Sequence, residues 1–199
     1  MLYVLTGTYS IFSTSAPARS EKIRWIVEKT STLRIAGRTN INKFCCQVTE
    51  YTDPDTLIAV KETGVAGTAG VFMQGAIRVD IEDFDCRNKV MTSEFKHTLK
   101  YHQYPKLIIR FLSLERLPSD GAGSETVKGW VEVELAGVCR KFEIAYISGR
   151  PGCTELELVG VRTFGFSDFA LQAPRKMGGL VRVDDRLDVE FRLHLHQLN

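Results

Sequence analysis

Between Trp25 and Leu195 the chain repeats one device: short runs of alternating apolar and polar residues, separated by turn residues. The clearest run is RLDVEFRLHLH, Arg186 to His196. Leu187, Val189, Phe191, Leu193 and Leu195 fall at odd positions, and Arg186, Asp188, Glu190, Arg192, His194 and His196 at even ones. Successive strand side chains point to opposite faces, so this alternation predicts a strand with one apolar and one wetted face. The apolar face has to be covered, either by a second sheet, by the far wall of a barrel, or by a guest that is not protein.

The same pattern recurs upstream. KIRWIVEKTSTLRIAG holds two strands, the second ending at Gly37, and NKFCCQVTEY a third, closed by the turn signature Asp53-Pro54-Asp55. GVFMQGAIRVDIEDF reads as a fourth, with Val79 and Ile81 opposite Arg78, Asp80 and Glu82. YPKLIIRFLSLERL is a fifth, with Leu107, Ile109 and Phe111 on one face. Two more run from Val127 to Leu135 and from Arg140 to Ile147, joined by a tight AGV hairpin. TELELVGVRTFGF and the final strand complete a set of eight to ten. MTSEFKHTLKYHQYP breaks the rhythm: Phe95, Leu99 and His102 stand at i, i+4 and i+7, Thr92 or Ser93 can cap, and Pro105 blocks continuation. The expectation is an all-β fold, an antiparallel sandwich or barrel, with one short inserted helix.

Charge excludes some functions. The 26 basic and 24 acidic side chains are interspersed, so no nucleic-acid groove is expected, and no apolar run approaches the roughly 18 residues that cross a bilayer as a helix. Residues 1–18, MLYVLTGTYSIFSTSAPA, carry no charge and end in Ala16-Pro17-Ala18, a pattern like a secretory leader; 19–199 are then expected to form a single exported domain, periplasmic or secreted. The five cysteines include no C-x-x-C pair, which argues against structural zinc; Cys86 is open to pairing with Cys45 or Cys46 if the compartment is oxidising, and the alternative is that they serve as small buried hydrophobes.

Catalytic constellations are not expected. Gly64, Gly67 and Gly70 lack the strand-loop-helix context and the Lys of a phosphate loop. His194 and His196 share a face, but it is the charged one, so no metal is assigned. Ser167 lacks a nucleophile elbow. Asp168, set among Phe164, Phe166 and Phe169, needs main-chain or Arg partners and reads as a structural tie. Trp25 and Trp130 either line a pocket or plug a barrel end. No enzyme activity and no cofactor are expected.

Order and spacing of motifs carry a resemblance. DFDCRNKVMTSEFKHTLKYHQYPKLIIRF is similar to the middle of the YceI-like family, where a strand leads to a capped helix ending in tyrosine-proline. VKGWVEVELAGVCRKFEI is similar to that family's glycine-led hairpin, and LVGVRTFGFSDFALQAPRKMGGLVRVDDRLDVEFRLHL to its closing region. TSTLRIAGRTNINKF resembles its strand-glycine-threonine-asparagine start. Many members have aspartate-phenylalanine-glycine where this chain has Asp168-Phe169-Ala170, so the loop over 164–180 is expected to differ if its backbone needs glycine.

The resemblance implies an extended, lipocalin-like antiparallel barrel of about eight strands, exported to the periplasm and binding a polyisoprenoid lipid without catalysis. Alternation then puts Ile109, Phe111, Val131, Val133, Phe142, Ile144, Val189, Phe191 and Leu193 on the lipid-binding inner wall. The expected partner is an isoprenoid-like lipid, with a homodimer left open. The competing expectation is a solid-core β module, its interior plugged by Trp130, Phe111 and Phe191, that acts through its surface in the cell envelope or on a partner.

Overall fold

The computed structural model describes residues 19–53, 55–63, 70–118, 123–149, 152 and 154–198. Residues 1–18, where a leader is expected, lie outside the described residues, as do Pro54, Gly64, Gly67 and Cys153. Twelve strands form one antiparallel sheet: β1 (Arg19–Val27), β2 (Thr32–Thr39), β3 (Lys43–Val48), β4 (Thr56–Thr63), β5 (Val71–Gln74), β6 (Ala76–Asp80), β7 (Lys106–Leu114), β8 (Glu125–Leu135), β9 (Val138–Gly149), β10 (Glu155–Gly165), β11 (Arg175–Lys176) and β12 (Val181–Leu198). Eight of them close a barrel in the order β1-β4-β5-β7-β8-β9-β10-β12 and back to β1.

Closure depends on how β12 uses its edges. One edge pairs β10 from Glu155↔His196 to Gly165↔Arg186. The other meets β1 at Val27↔Leu195 and then β2 from Thr32↔Arg192 to Val183↔Thr39. At the handover Ser31, buried, bonds both main-chain groups of His194: its Oγ accepts from His194 N (3.0 Å) and donates to His194 O (3.4 Å). No main-chain group of His194 is left dry where the ladder changes partner.

The odd residues of β12 face inward as the alternation requires, with Leu187, Phe191, Leu193 and Leu195 buried and Val189 half-buried against the core. In the β8–β9 hairpin, Leu135↔Val138 closes on Ala136 and Gly137, both at positive φ (51° and 80°), the two-residue geometry that suits twisted antiparallel strands.

Three expectations need correction. β4 went unread: its buried Leu57 and Ala59 alternate with half-buried Ile58 and Val60, so both faces are apolar and the period-two contrast is lost. The fourth expected strand is two, β5 and β6, broken at Gly75 (φ 120°), where a Cβ would stand 2.4 Å from Thr56 O. Helix α1 (Lys89–Thr98) starts earlier than the Thr92/Ser93 cap would allow. Asn88 is the cap, its Oδ1 accepting from Met91 N (3.0 Å), while Thr92 Oγ1 accepts from Cys86 N (3.0 Å) inside the first turns. Lys100, at φ 57°, ends the helix region before Pro105 is reached, and His102 is exposed.

At the end of the barrel nearest α1, among the described strands β3 pairs only β2 and β6 only β7, so two strand edges face each other across a seam. The segment leading into α1 fills it. Gln47 and Asp85 exchange main-chain bonds of 2.9 Å, and Cys46 is joined to Cys86 by a disulfide. Of the two pairings left open by the sequence, the Cys46 one is formed; Cys45, on the opposite face of β3, is free.

Two stability outcomes follow. The disulfide closes a loop with a sequence separation of 40. On a chain-entropy estimate its loss costs roughly 4 kcal/mol, measured by denaturant unfolding with and without reductant. Ala170, at φ 51° and ψ 32°, holds a left-handed conformation that costs a Cβ-bearing residue about 1–2 kcal/mol. Ala170→Gly relieves this and frees the unfolded chain by about 0.4–1 kcal/mol, so the melting temperature rises slightly.

Candidate functional site

The barrel interior has two unlike halves. Away from α1 it is filled. Trp25 (1% exposed) stands between Leu57 and Gln197 in the β4-β1-β12 ladder, and Leu114, Val127, Tyr146 and Leu195 are fully buried with it. Glycines in the wall make room for rings. A Cβ on Gly160 would lie 2.3 Å from the Phe191 ring, and one on Gly129 would lie 2.7 Å from Leu114 Cδ2 and 3.1 Å from Tyr146 Cε2. Tyr146 packs edge-on against Phe191 with centroids 5.7 Å apart.

The half nearest α1 holds a cavity of about 60 Å³. Its walls come from Leu33 and Ile35 of β2, Leu107 and Ile109 of β7, Val131, Val133 and Leu135 of β8, Ile144 of β9, Phe164 and Gly165 of β10, and Leu187, Val189 and Phe191 of β12. Phe84, the helix residue Phe95 and the C-cap Leu99 close it on one side, and Phe166, Phe169 and Leu171 on another. Among the described residues no charged side chain lines it. A second void of about 20 Å³ lies between Ser31, Leu33, Ile77, Ile109, Phe191, Leu193 and their neighbours.

Of the nine residues expected on the inner wall, Ile109, Val131, Val133, Ile144, Val189 and Phe191 line the larger cavity. Leu193 lines the smaller void. Phe111 and Phe142 face inward but touch neither space: Phe111 packs against Tyr146 (6.5 Å between centroids), and Phe142 against Phe164 (4.8 Å) and Phe169 (6.0 Å). Phe95 of the helix with its C-cap Leu99, and the aromatic run 164–169, were legible as apolar but not as wall. Period-two reasoning says nothing of a helix or a short turn that folds over an opening.

Trp130 neither lines nor plugs the barrel. It is 47% exposed on the outer face of β8, so the plug of Trp130, Phe111 and Phe191 does not assemble. Asp168 is a structural tie: its Oδ2 accepts from Gly165 N (2.8 Å), and Arg140 Nε donates to its carbonyl (3.2 Å). His194 and His196 lie on the outward side of β12, and among the described residues no three His, Cys, Asp or Glu side chains converge on a metal position.

Two buried phenols differ in satisfaction. Tyr51 donates to Asp55 Oδ2 (2.5 Å) and accepts from Arg78 N (3.0 Å), while Arg78 Nη1 also meets Asp55 Oδ1 (2.7 Å); this knot ties the start of β4 to β6. Burial, reinforced by the Asp55 bond, pushes the Tyr51 phenol far above its ordinary range. Tyr146 Oη is buried without a partner, and burial alone raises it.

Comparison with known proteins locates the architecture. No protein-family model and no curated protein sequence matches the chain. Solved structures do. A polyisoprenoid binding domain from Saccharophagus degradans, implicated in plant cell wall breakdown, superposes with a TM-score of 0.60 at 10% identity, covering 86% of this chain and 97% of that one. BcnA of Burkholderia cenocepacia gives 0.57 at 12%, covering 82% and 95%. The YceI protein of Campylobacter jejuni gives 0.52 at 13%, covering 70% and 90%. At such identities the likeness establishes the fold: a closed antiparallel barrel of the YceI type, extended at one end and carrying one helix.

Removing the orphaned hydroxyl tests how dry this interior is. A buried donor left unpaired costs about 1–3 kcal/mol. Tyr146→Phe is therefore expected to raise the melting temperature, read by calorimetry, with no change in secondary structure.

Proposed function

We propose that this chain belongs among the YceI-like proteins and binds a long apolar lipid of isoprenoid type in the α1 half of its barrel, holding or carrying it without chemical change. The single observation that carries the reading is the uncharged cavity wall lying beneath a helix whose lead-in segment fills the seam between two strand edges. A ligand-binding half and a packed half in one barrel is what an eight-stranded wall allows, since that girth suits either side-chain filling or one small guest. The Saccharophagus degradans domain, a fold neighbour described as polyisoprenoid binding, supports the same reading. The Cys46–Cys86 disulfide supports an exported setting, because such bonds persist in oxidising compartments.

Volume sets a condition on the proposal. At about 10–15 Å³ per water-sized position, 60 Å³ takes four to six such groups, roughly one five-carbon isoprene unit. Each buried methylene contributes about 0.8 kcal/mol, against an association cost of about 4–15 kcal/mol. Useful affinity therefore needs about a dozen buried groups, more than the cavity accepts. Longer guests enter by displacing Phe84, Phe95, Phe164, Phe169 or Phe191 and moving α1 outward from the seam. The polar segment at Gln47, Asp85 and Asn88 stays in place while the apolar face of the helix lifts.

The tight interior also favours a second reading, a solid-core module acting through its outer face. Native mass spectrometry of protein from its own host, with uptake of a prenyl alcohol followed by dye displacement, separates the two. Val133→Phe plugs the cavity at a stability cost of about 1–3 kcal/mol and is expected to cut uptake at least roughly ten-fold. The outer-face control Val161→Phe leaves it unchanged. Protein that carries no lipid and takes up none sinks the carrier reading and leaves the surface module.

A further inference from the structure

Arg162 is out of place by the pattern that builds the barrel. On β10 the inward positions are Leu158, Gly160, Arg162 and Phe164, so a guanidinium falls on the apolar side of the strand. In the ladder Arg162 stands opposite Val189, a cavity-lining residue. The β9–β10 ladder ends one residue earlier, at Val161↔Ala145. Into the opening goes the Arg162 side chain, its Nη1 donating to Glu143 O (2.7 Å). The guanidinium carbon lies 4.9 Å from the centroid of Phe142 and 5.7 Å from that of Phe164, which lines the cavity. Its Nε is buried and has no hydrogen-bond partner.

No carboxylate of the described residues forms an ion pair with Arg162. Asp168, the acid that the neighbouring loop brings to this rim, spends Oδ2 on Gly165 N. Arg140, at the start of β9 and on the same side of the strand as Phe142, donates to the Asp168 carbonyl and likewise has no acidic partner among the described residues. A partly desolvated guanidinium with an idle donor and no counter-charge is unfavourable by itself, and ring contacts offset only part of this. Its donor fork fits a terminal oxyanion, carboxylate or phosphate, in two-point contact.

The geometry points to an amphiphilic guest whose terminal oxyanion is held by Arg162 in the gap between β9 and β10, with its apolar chain running past Phe164 into the cavity. This rests on the lipid-binding reading and adds to it the chemical class of the head group. Arg162 is a specificity residue. It selects an anionic end over a neutral one on a chain of the same length.

Dye displacement on the full chain compares two pairs of probes below their micelle concentrations: hexadecanoate with hexadecanol, and geranylgeranyl phosphate with geranylgeraniol. The wild type is expected to bind at least one anion about ten-fold or more tightly than its matched alcohol, and the favoured pair tells carboxylate from phosphate. Arg162→Met abolishes that preference and leaves alcohol affinity within about two-fold, while Arg162→Lys, which keeps charge but not the fork, retains part of it. Alcohols bound as tightly as anions by the wild type overturn the head-group assignment and spare the lipid reading. Failure to bind any of the four overturns both. Should Arg162→Met not fold, by circular dichroism, the wild-type ratio and the Lys variant decide alone.

Discussion

The structure depends on the shared edge of β12. With eighteen residues it is the longest strand among the described residues. Two shorter strands in succession occupy the edge that β10 does not. Where β1 gives way to β2, the chain turns through Glu28–Ser31, and the buried hydroxyl of Ser31 supplies the hydrogen bonds that neither strand can. That handover makes the barrel an extended one. Below it β1 continues the ring to β4; above it β2 leads to β3, whose outer edge has no strand partner. The gap covered by α1 is a consequence of strand length on one edge.

Much of this was legible because the sheet is amphipathic. Every strand whose two faces differ in polarity was found, including β7, where Leu107, Ile109 and Phe111 are all buried. β4 escaped for the complementary reason: Ile58 and Val60 are half-buried on its other side, so no contrast marks the period. The break at Gly75 and the left-handed Ala170 were not readable as backbone events, because φ is set by what surrounds the residue. Inward orientation was legible for all nine wall residues. Which of them touch empty space was not, since that depends on how rings from other strands fill the middle: Phe111 turns to Tyr146, and Phe142 to Phe164 and Phe169.

The contrast between the two halves follows from side-chain volume set against glycine placement. Gly129 and Gly160 open the wall just where Tyr146, Leu114 and Phe191 lean in, so the lower half reaches close packing and has no room to yield. The upper half is roofed by α1 and by the 166–171 turn. Neither belongs to the hydrogen-bonded ladder of the barrel; the turn is tied to β12 by Phe166 N donating to Asp185 O (2.9 Å) and by Ser167 on the Asp185 carboxylate, and α1 is held by its buried apolar face and by its lead-in segment. Such elements open at lower free-energy cost than strands whose main-chain bonds must break. The disulfide and the Gln47–Asp85 bridge pin the segment that leads into the helix.

A wall of this composition cannot choose well among guests. Adding or removing one methylene in an apolar pocket changes affinity only modestly, so chain length is read coarsely at best. Discrimination has to come from a group that is poorly solvated without its partner, and the interior offers few. Tyr146 Oη is sealed among Phe111, Phe191 and the β8 wall, away from the cavity lining. Arg162 is the contrasting case. Strand parity draws it inward, the early end of the β9–β10 ladder gives it an opening, and a single ring separates it from the cavity. A barrel that reads its guest's apolar length loosely and its polar end closely would place a guanidinium without an ion-pair partner at such a rim.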